Sequence, residues 1–193
     1  MQLPHCIHIA LKKLTYGGTG RGPDGARVVD WLELQPGMKI ADIGSGFGDF
    51  AMRFAEAVGE SGAVYAIDTD PDLREAVTRR ARESGLDQLR AVAARDEDPA
   101  IPEPIDLVFL SFSYHHLPER VRYFESVRLR IRPGGRVVIL ESKPGLLSRL
   151  IGHATPAEEV AETMAEAGYQ RSASADIVKG VSIQAFTPAD QRR

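Results

Sequence analysis

The chain has little of several features that define particular classes of protein. Its 193 residues include a single cysteine, Cys6, which excludes an internal disulfide and favours a reducing compartment such as the cytoplasm. No run of residues is apolar for long enough to predict a membrane span, and no signal-peptide pattern is expected at the N-terminus. The formal net charge of −3 leaves no overall basic surface for nucleic acid. These absences favour a cytoplasmic protein and give no support for a nucleic-acid partner.

The length suits one α/β core, because 193 residues are too few for two comfortable domains. Apolar β-rich runs alternate with helical segments, which predicts a parallel sheet covered on both faces. An N-terminal arm is expected over residues 1–25, and the folded domain over residues 26–193. Strands are predicted at residues 38–43, 63–68, 89–94, 105–112 and 135–141, helices at 24–34, 50–58, 71–84, 118–130 and 156–167, and a closing hairpin at 169–177 and 181–186.

The most informative stretch is the glycine-rich turn between the first strand and its helix, residues 40–49. Its glycines follow the spacing G-x-G-x-G, whereas a dinucleotide-binding turn reads G-x-G-x-x-G. Asp42 precedes the turn and Asp49 follows it, and two carboxylates would repel a pyrophosphate. The same carboxylates suit a ligand with a positive amino group and a positive sulfur, which is S-adenosylmethionine.

Asp68 ends the second strand, 24 positions after Gly44 in the numbering. That separation is close to the one expected for a carboxylate that accepts hydrogen bonds from ribose hydroxyls. Asp68 could instead cap the helix that begins near Pro71, but Asp70 is the better cap because it immediately precedes that proline. Asp68 is therefore expected to be free for a ligand.

With these motifs in order, the chain resembles the class I S-adenosylmethionine-dependent methyltransferases. The resembling segments are the glycine-rich turn, the acid at Asp68, the loop at residues 94–99, the strand-four segment at 106–118 and the segment LRIRPGGRVVILE at 129–141. Within the family it is similar to the small-molecule, ubiquinone/menaquinone-type enzymes. The resemblance implies a doubly wound, mostly parallel, Rossmann-like sheet of seven strands in the order 3-2-1-4-5-7-6, with an antiparallel C-terminal hairpin strand.

The resemblance also implies roles for residues at the strand ends. Asp42 would face the cofactor's ammonium, Asp68 would bind the ribose, and Asp96 would bind the adenine amino group. Glu97 or Asp98 could take the role of Asp96, or this acidic loop could equally be solvated without a ligand. The N-terminal arm would close over the cofactor as a lid. The remaining cofactor-binding residues would be Gly44, Ser45, Gly46 and Phe47 at the methionine part, Thr69 at the adenine, and Ser111 and Phe112 near the sulfur.

The fourth strand runs into Tyr114, His115 and His116, which are expected to face the methyl acceptor and are the candidate catalytic residues. An imidazole there could remove a proton from the acceptor, because its ordinary pKa lies near neutrality. The same histidines could equally serve packing, with one of them resting against Tyr114 and the next helix. No metal site is expected.

The predicted function is methyl transfer from S-adenosylmethionine to an unidentified small-molecule acceptor by in-line displacement. Two alternatives stay open, a non-catalytic protein that binds S-adenosylmethionine for regulation and an NAD-dependent oxidoreductase. The glycine spacing and the flanking acids disfavour the oxidoreductase. No nucleic-acid partner is expected, and the exposed edge of the final hairpin could allow a homodimer.

Overall fold

A computed structural model describes residue 20 and residues 22–95, 98–143 and 155–189 of the chain. The predicted arm therefore lies almost entirely outside the described residues. Helices and strands alternate along the chain. They are α1 Gly22–Trp31, β1 Lys39–Ile43, α2 Asp49–Val58, β2 Ala63–Asp68, α3 Pro71–Glu83, β3 Leu89–Ala93, β4 Ile105–Ser111, a 3₁₀ turn Tyr114–His116, α4 Arg120–Arg128, β5 Ile131–Ser142, α5 Ala157–Glu166, β6 Tyr169–Ala175 and β7 Val181–Pro188.

The strands form one seven-stranded sheet in the order β3-β2-β1-β4-β5-β7-β6. The five strands from β3 to β5 pair in parallel, whereas β7 pairs antiparallel with both β5 and β6. This arrangement confirms the predicted fold class and strand order. Since parallel strands need crossovers, the intervening helices cover the faces of the sheet.

The central strands are apolar at nearly every position because both of their faces are covered. In β4, Leu107 and Phe109 point into one core, whereas Val108 and Leu110 point into the other, and all four are fully buried. One core is built around the stacked and edge-on rings of α2 and β4, and the other around Tyr114, Phe124 and Tyr169. The sheet is thus held rigidly from both sides.

Several predicted boundaries shift by a few residues. Helix α1 begins at Gly22, so the domain boundary expected after residue 25 falls inside a helix. Strand β5 begins at Ile131, four residues earlier than predicted, because the chain before Val137 still pairs with β4 through a register shift. Helix α4 begins at Arg120, after the 3₁₀ turn and a left-handed Glu119.

The expected cap of α3 is confirmed. Asp70 accepts a hydrogen bond from the Asp72 N–H at 2.9 Å, with Pro71 in the first helical position. This cap fixes where β2 stops and α3 starts, beside the carboxyl end of β1. Among the described residues, no helix is long and apolar enough to cross a membrane.

Candidate cofactor and acceptor site

A cavity of about 750 Å³ opens at the carboxyl ends of β1, β2 and β4. This is the edge at which open α/β sheets bind their ligands. Asp96 lies outside the described residues, and every other predicted cofactor residue lines the cavity, as do His115 and His116. The lining cofactor residues are Asp42, Gly44, Ser45, Gly46, Phe47, Asp68, Thr69, Ser111 and Phe112. Eleven residues predicted from the strand ends therefore line the same cavity.

The three glycines of the turn all have a positive φ, between 55° and 73°, which favours glycine. They differ in what surrounds them. A Cβ on Gly44 would lie 2.4 Å from the Ser113 Cβ, and one on Gly48 would lie 2.8 Å from Val77. A Cβ on Gly46 would meet nothing within 4 Å, so its open side faces the cavity. Gly46 is therefore the position at which a ligand can lie against the backbone.

This difference predicts that alanine substitutions in the turn separate stability from binding. Gly44→Ala should lower the free energy of unfolding by roughly 2 to 4 kcal/mol, because strain and a clash add together. Gly46→Ala should cost only the strain of about 1 to 2 kcal/mol, but should reduce ligand affinity at least as much as Gly44→Ala does. Urea unfolding and calorimetry measure the two effects.

Gly85→Ala is the matched control. Gly85 has a φ of 66°, a Cβ added to it would meet nothing within 4 Å, and it is not part of the cavity wall. The variant should reproduce the stability loss of Gly46→Ala and leave binding intact. Equal binding by the Gly46 and Gly85 variants would contradict the assignment of Gly46 to the ligand.

Asp42 sits at the inner wall of the cavity and is only 2% exposed. Burial, followed by the nearby charge of Asp68, raises the pKa of Asp42 to about 8, although a hydrogen bond from the Ala51 N–H opposes the shift. The ionised form of such a carboxyl group is stabilised most by a cationic partner that enters the cavity. Its environment therefore suits an ammonium group.

Asp68 is engaged more fully than the sequence predicted. Its two carboxylate oxygens accept hydrogen bonds from the backbone N–H groups of Gly46 and Asp70, each at 2.9 Å. The expectation that Asp68 is free is therefore wrong, because the acid also ties the glycine-rich turn to the end of β2. Each oxygen has a second lone pair, so the side chain can still accept a hydrogen bond from a ribose hydroxyl.

The two acidic residues that flank the glycine-rich turn, Asp42 and Asp49, also differ from each other in a way the sequence did not predict. Asp49 forms an ion pair with Arg80 at 2.9 Å, and the same guanidinium donates to the Phe47 carbonyl oxygen. The charge of Asp49 is therefore largely offset, and Asp42, whose pKa is raised to about 8, becomes mostly ionised at neutral pH only beside a cationic ligand. The case against a pyrophosphate rests on Asp42, Asp68 and the glycine spacing.

Tyr114 does not line the cavity. Its side chain is fully buried, its ring stacks on Phe124 with the centroids 5.9 Å apart, and the Arg120 guanidinium lies 4.7 Å from its centroid. This placement supports a packing role for Tyr114 and argues against contact with an acceptor. Of the three candidate catalytic residues, the structure brings only His115 and His116 to the cavity.

His115 has a partner that the sequence analysis missed. Its Nδ1 lies 3.1 and 3.2 Å from the two carboxylate oxygens of Glu141, whose side chain is only 1% exposed. The ring of His116 lies 4.1 Å from the ring of His115. Glu141 lies near the carboxyl end of β5, next to β4 in the sheet, so the strand-end rule applied to β5 would have found it.

The comparisons with known proteins agree with this geometry. A family described as a methyltransferase domain matches residues 40–135, which include the glycine-rich turn, Asp68 and the histidines. The chain belongs to the class I S-adenosylmethionine-dependent methyltransferases. S-adenosylmethionine is thus the cofactor, as the sequence predicted.

Similar curated proteins are the ubiquinone/menaquinone biosynthesis C-methyltransferases UbiE. The Vibrio vulnificus (strain YJ016) protein is 29% identical over 119 residues, which are 60% of this chain and 46% of the relative. The Vibrio cholerae (strain ATCC 39315) protein is 32% identical over 127 residues, which are 63% of this chain and 49% of the relative. The chain thus spans about half the length of the curated relatives it matches.

Solved structures share the fold. A SAM-dependent methyltransferase from Aquifex aeolicus aligns with a TM-score of 0.75 at 22% identity, over 83% of this chain and 87% of that chain. A structure described as a complex between the Haloferax volcanii Trm112 methyltransferase activator and a methyltransferase aligns with a TM-score of 0.80 at 13% identity. That alignment covers 97% of both chains.

The residues of the cavity fit the family's cofactor. Asp42 is a buried carboxyl that needs a cation, and Gly46 leaves room beside the backbone. The Ser45 hydroxyl oxygen is buried and has no hydrogen-bond partner among the described residues, so it can accept or donate a bond to a ligand. Asp42, Ser45, Gly46 and Asp68 are therefore the residues that would hold S-adenosylmethionine.

Proposed function

We propose that this protein transfers a methyl group to a small-molecule acceptor that binds beside the cofactor in the same cavity. When bound, S-adenosylmethionine supplies an electrophilic methyl group on a sulfonium, and transfer leaves the neutral thioether S-adenosylhomocysteine. The observation that carries the proposal is the continuity of the cavity, which runs from Asp42 and Asp68 to His115 and His116. One space can therefore hold a donor and an acceptor in contact.

The chain's own contribution would be alignment and exclusion of water, which account for much of the rate in such a reaction. Asp42 and Asp68 would fix the two ends of the donor. Buried rings of Phe47 and Tyr123, with the partly buried Phe112, would form an apolar wall of the cavity alongside donor and acceptor. Phe112 has a φ of 52°, an uncommon conformation for a residue with a side chain, and such strain is often found at functional sites.

The acceptor end of the cavity is lined by Leu117, Pro118 and Tyr123 together with the two histidines. An apolar wall with few polar groups suits a compact, largely apolar acceptor with one polar function. The named activity of the UbiE relatives, C-methylation in ubiquinone/menaquinone biosynthesis, is in keeping with such an acceptor. We propose a small-molecule acceptor of this class, with no commitment to a quinone ring.

Parallel calorimetric titrations test the proposal. We expect S-adenosylmethionine and S-adenosylhomocysteine to bind with micromolar dissociation constants, and NAD⁺ not to bind. Labelled methyl donor with pools of phenols, enols, thiols and amines should then give a labelled product. Binding of NAD⁺ alone would overturn the proposal. Tight binding of the donor with no labelled product from any pool would favour the non-catalytic, regulatory alternative.

A further inference from the structure

The buried contact between His115 and Glu141 is the feature that the proposed function does not yet use. Glu141 belongs to β5 and His115 to the 3₁₀ turn after β4, so two neighbouring strands carry the pair. The histidine side chain is 10% exposed and the glutamate side chain 1% exposed. His115 lines the cavity, whereas Glu141 is buried outside the cavity wall.

The geometry of the contact selects one nitrogen of the ring. Both oxygens of Glu141 face Nδ1, at 3.1 and 3.2 Å, and an ionised carboxylate can only accept hydrogen bonds. The neutral imidazole must then carry its proton on Nδ1. Its lone pair consequently lies on Nε2, at the side of the ring away from Glu141.

The backbone holds this arrangement in place. The His116 N–H donates to the Ser113 carbonyl oxygen at 3.1 Å, and the Ser113 hydroxyl donates to the Ile43 carbonyl oxygen at 2.7 Å. The turn that carries His115 is thus bonded to the end of β1, where the cofactor's methionine part is expected. Arg120 reaches the His115 carbonyl oxygen at 3.4 Å. The ring is therefore anchored at its side chain and along its backbone.

We infer that Glu141 is a positioning residue that holds His115 with Nε2 as the atom that takes a proton from the methyl acceptor. The inference rests on the proposed function and deepens it, because it names the acceptor class. An acceptor that needs such a base carries a weakly acidic proton, either on the atom that is methylated, as in a phenol or a thiol, or on a hydroxyl conjugated to the methylated carbon.

When the acceptor's hydroxyl oxygen is itself methylated, its proton passes to His115 and its electron pair to the methyl group. The O–H bond of the acceptor breaks and an N–H bond forms at Nε2, which leaves His115 as an imidazolium next to the Glu141 carboxylate. The oxygen's electron pair forms the new bond to the methyl group, and the carbon–sulfur pair returns to sulfur. The proton leaves His115 to solvent in a later step, so no other reactant is required.

The environment of Glu141 is consistent with a functional role. Burial raises the pKa of Glu141 to about 7, against hydrogen bonds from the backbone N–H groups of His115, Tyr114 and Ser142 and the charge of His116. Burying a carboxyl group this deeply costs stability, and the presence of the group despite that cost is consistent with a functional role.

Nitrogen NMR of the histidine rings tests the inference without a methyl acceptor. The protein is labelled at its five histidines, saturated with S-adenosylhomocysteine and measured at about pH 8.5, where Glu141 is ionised. The His115 signals are identified by their loss in His115→Gln. We expect a single tautomer with the proton on Nδ1. A proton on Nε2 in the wild type would overturn the inference.

Two variants of Glu141 and one control make the test specific. Glu141→Leu, which keeps an apolar strand position, should lose the fixed Nδ1–H tautomer, and Glu141→Gln should retain part of it because one acceptor oxygen remains. Ser182→Ala is the control, since the Ser182 hydroxyl contacts the Glu141 carbonyl oxygen at 3.4 Å and not its carboxylate. An unchanged His115 tautomer in Glu141→Leu would overturn the inference.

Calorimetry on the same samples separates this inference from the proposed function. S-adenosylhomocysteine should bind the wild type, Glu141→Leu and Ser182→Ala with dissociation constants within about threefold of one another, since none of these changes touches the donor residues. If S-adenosylhomocysteine does not bind the wild type, the proposed function fails, whatever the tautomer of His115. If it binds and the tautomer is wrong, only the role of Glu141 fails.

Discussion

Replacement of Asp68 by alanine is expected to weaken S-adenosylmethionine binding by about 100-fold or more. Hydrogen bonds to a charged group contribute roughly 1.5 to 3 kcal/mol each, and a ribose offers two hydroxyls. The loss of two such bonds, about 3 to 6 kcal/mol, corresponds to about two to four orders of magnitude in the dissociation constant. Calorimetric titration of the variant measures the effect directly.

The loss of affinity in Asp68→Ala has a second cause, because Asp68 also organises the glycine-rich turn. Its oxygens accept the N–H groups of Gly46 and Asp70, and Gly46 is the position with open space beside the backbone. Asp68→Asn changes both the ribose contact and the contact with the turn. The amide keeps one acceptor oxygen, but its NH₂ group faces a backbone donor, so we expect a loss of affinity close to that of Asp68→Ala.

Asp72→Ala is the matched control for both variants. Asp72 lies in the first turn of α3, and its backbone N–H enters the cap of that helix, which alanine preserves. Its side chain does not line the cavity. Equal affinities of the Asp68 and Asp72 variants would show that Asp68 does not bind the ribose.

The sequence predicts the fold well because periodicity and strand ends are local signals. β2 matches its predicted bounds, residues 63–68, and the other described strands fall within a few residues of theirs. The largest error, at the start of β5, comes from a register shift between Ile105 and Leu107. Such a shift depends on pairing with a distant strand, which no local pattern contains.

The site was predicted less completely, because its chemistry depends on contacts between distant residues. The Gly-rich turn and Asp68 are recognisable at fixed spacings. The Asp49–Arg80 pair joins residues 31 positions apart, and the His115–Glu141 contact joins residues 26 apart. Only the folded sheet shows that Glu141 faces an imidazole, or that Tyr114 turns away from the cavity.

Replacement of Asp42 by asparagine is expected to stabilise the ligand-free protein while it weakens cofactor binding. The folded pKa of Asp42 is about 8, against an ordinary value of 3.8. A raised pKa means that the folded state holds the proton more tightly than the unfolded chain. The contribution of Asp42 to stability is therefore fully present below about pH 4 and is lost as the pH rises through about 8.

The raised pKa of Asp42 makes the stability of the protein depend measurably on pH. The free energy of unfolding of the wild type should fall between about pH 4 and pH 8, with at most about 1.4 kcal/mol per pH unit from Asp42. Asp68 and Glu141, whose pKa values are also raised by burial, add in the same direction. Asp42→Asn removes only its own share, so its stability advantage over the wild type should grow with pH and reach about 2 kcal/mol or more near pH 8.

Cofactor binding should reverse the stability advantage of Asp42→Asn, because the ammonium group of the ligand favours the ionised form of Asp42 in the wild type. At about pH 6.5 the wild type should release close to one proton when S-adenosylhomocysteine binds, and Asp42→Asn should release almost none. Calorimetry in two buffers of different ionisation enthalpy counts these protons. The variant's affinity should be at least about tenfold lower, since a neutral amide replaces a buried counterion. If the variant released as many protons as the wild type, the ammonium would not be bound at Asp42, and the carboxyl group's buried position would need another explanation.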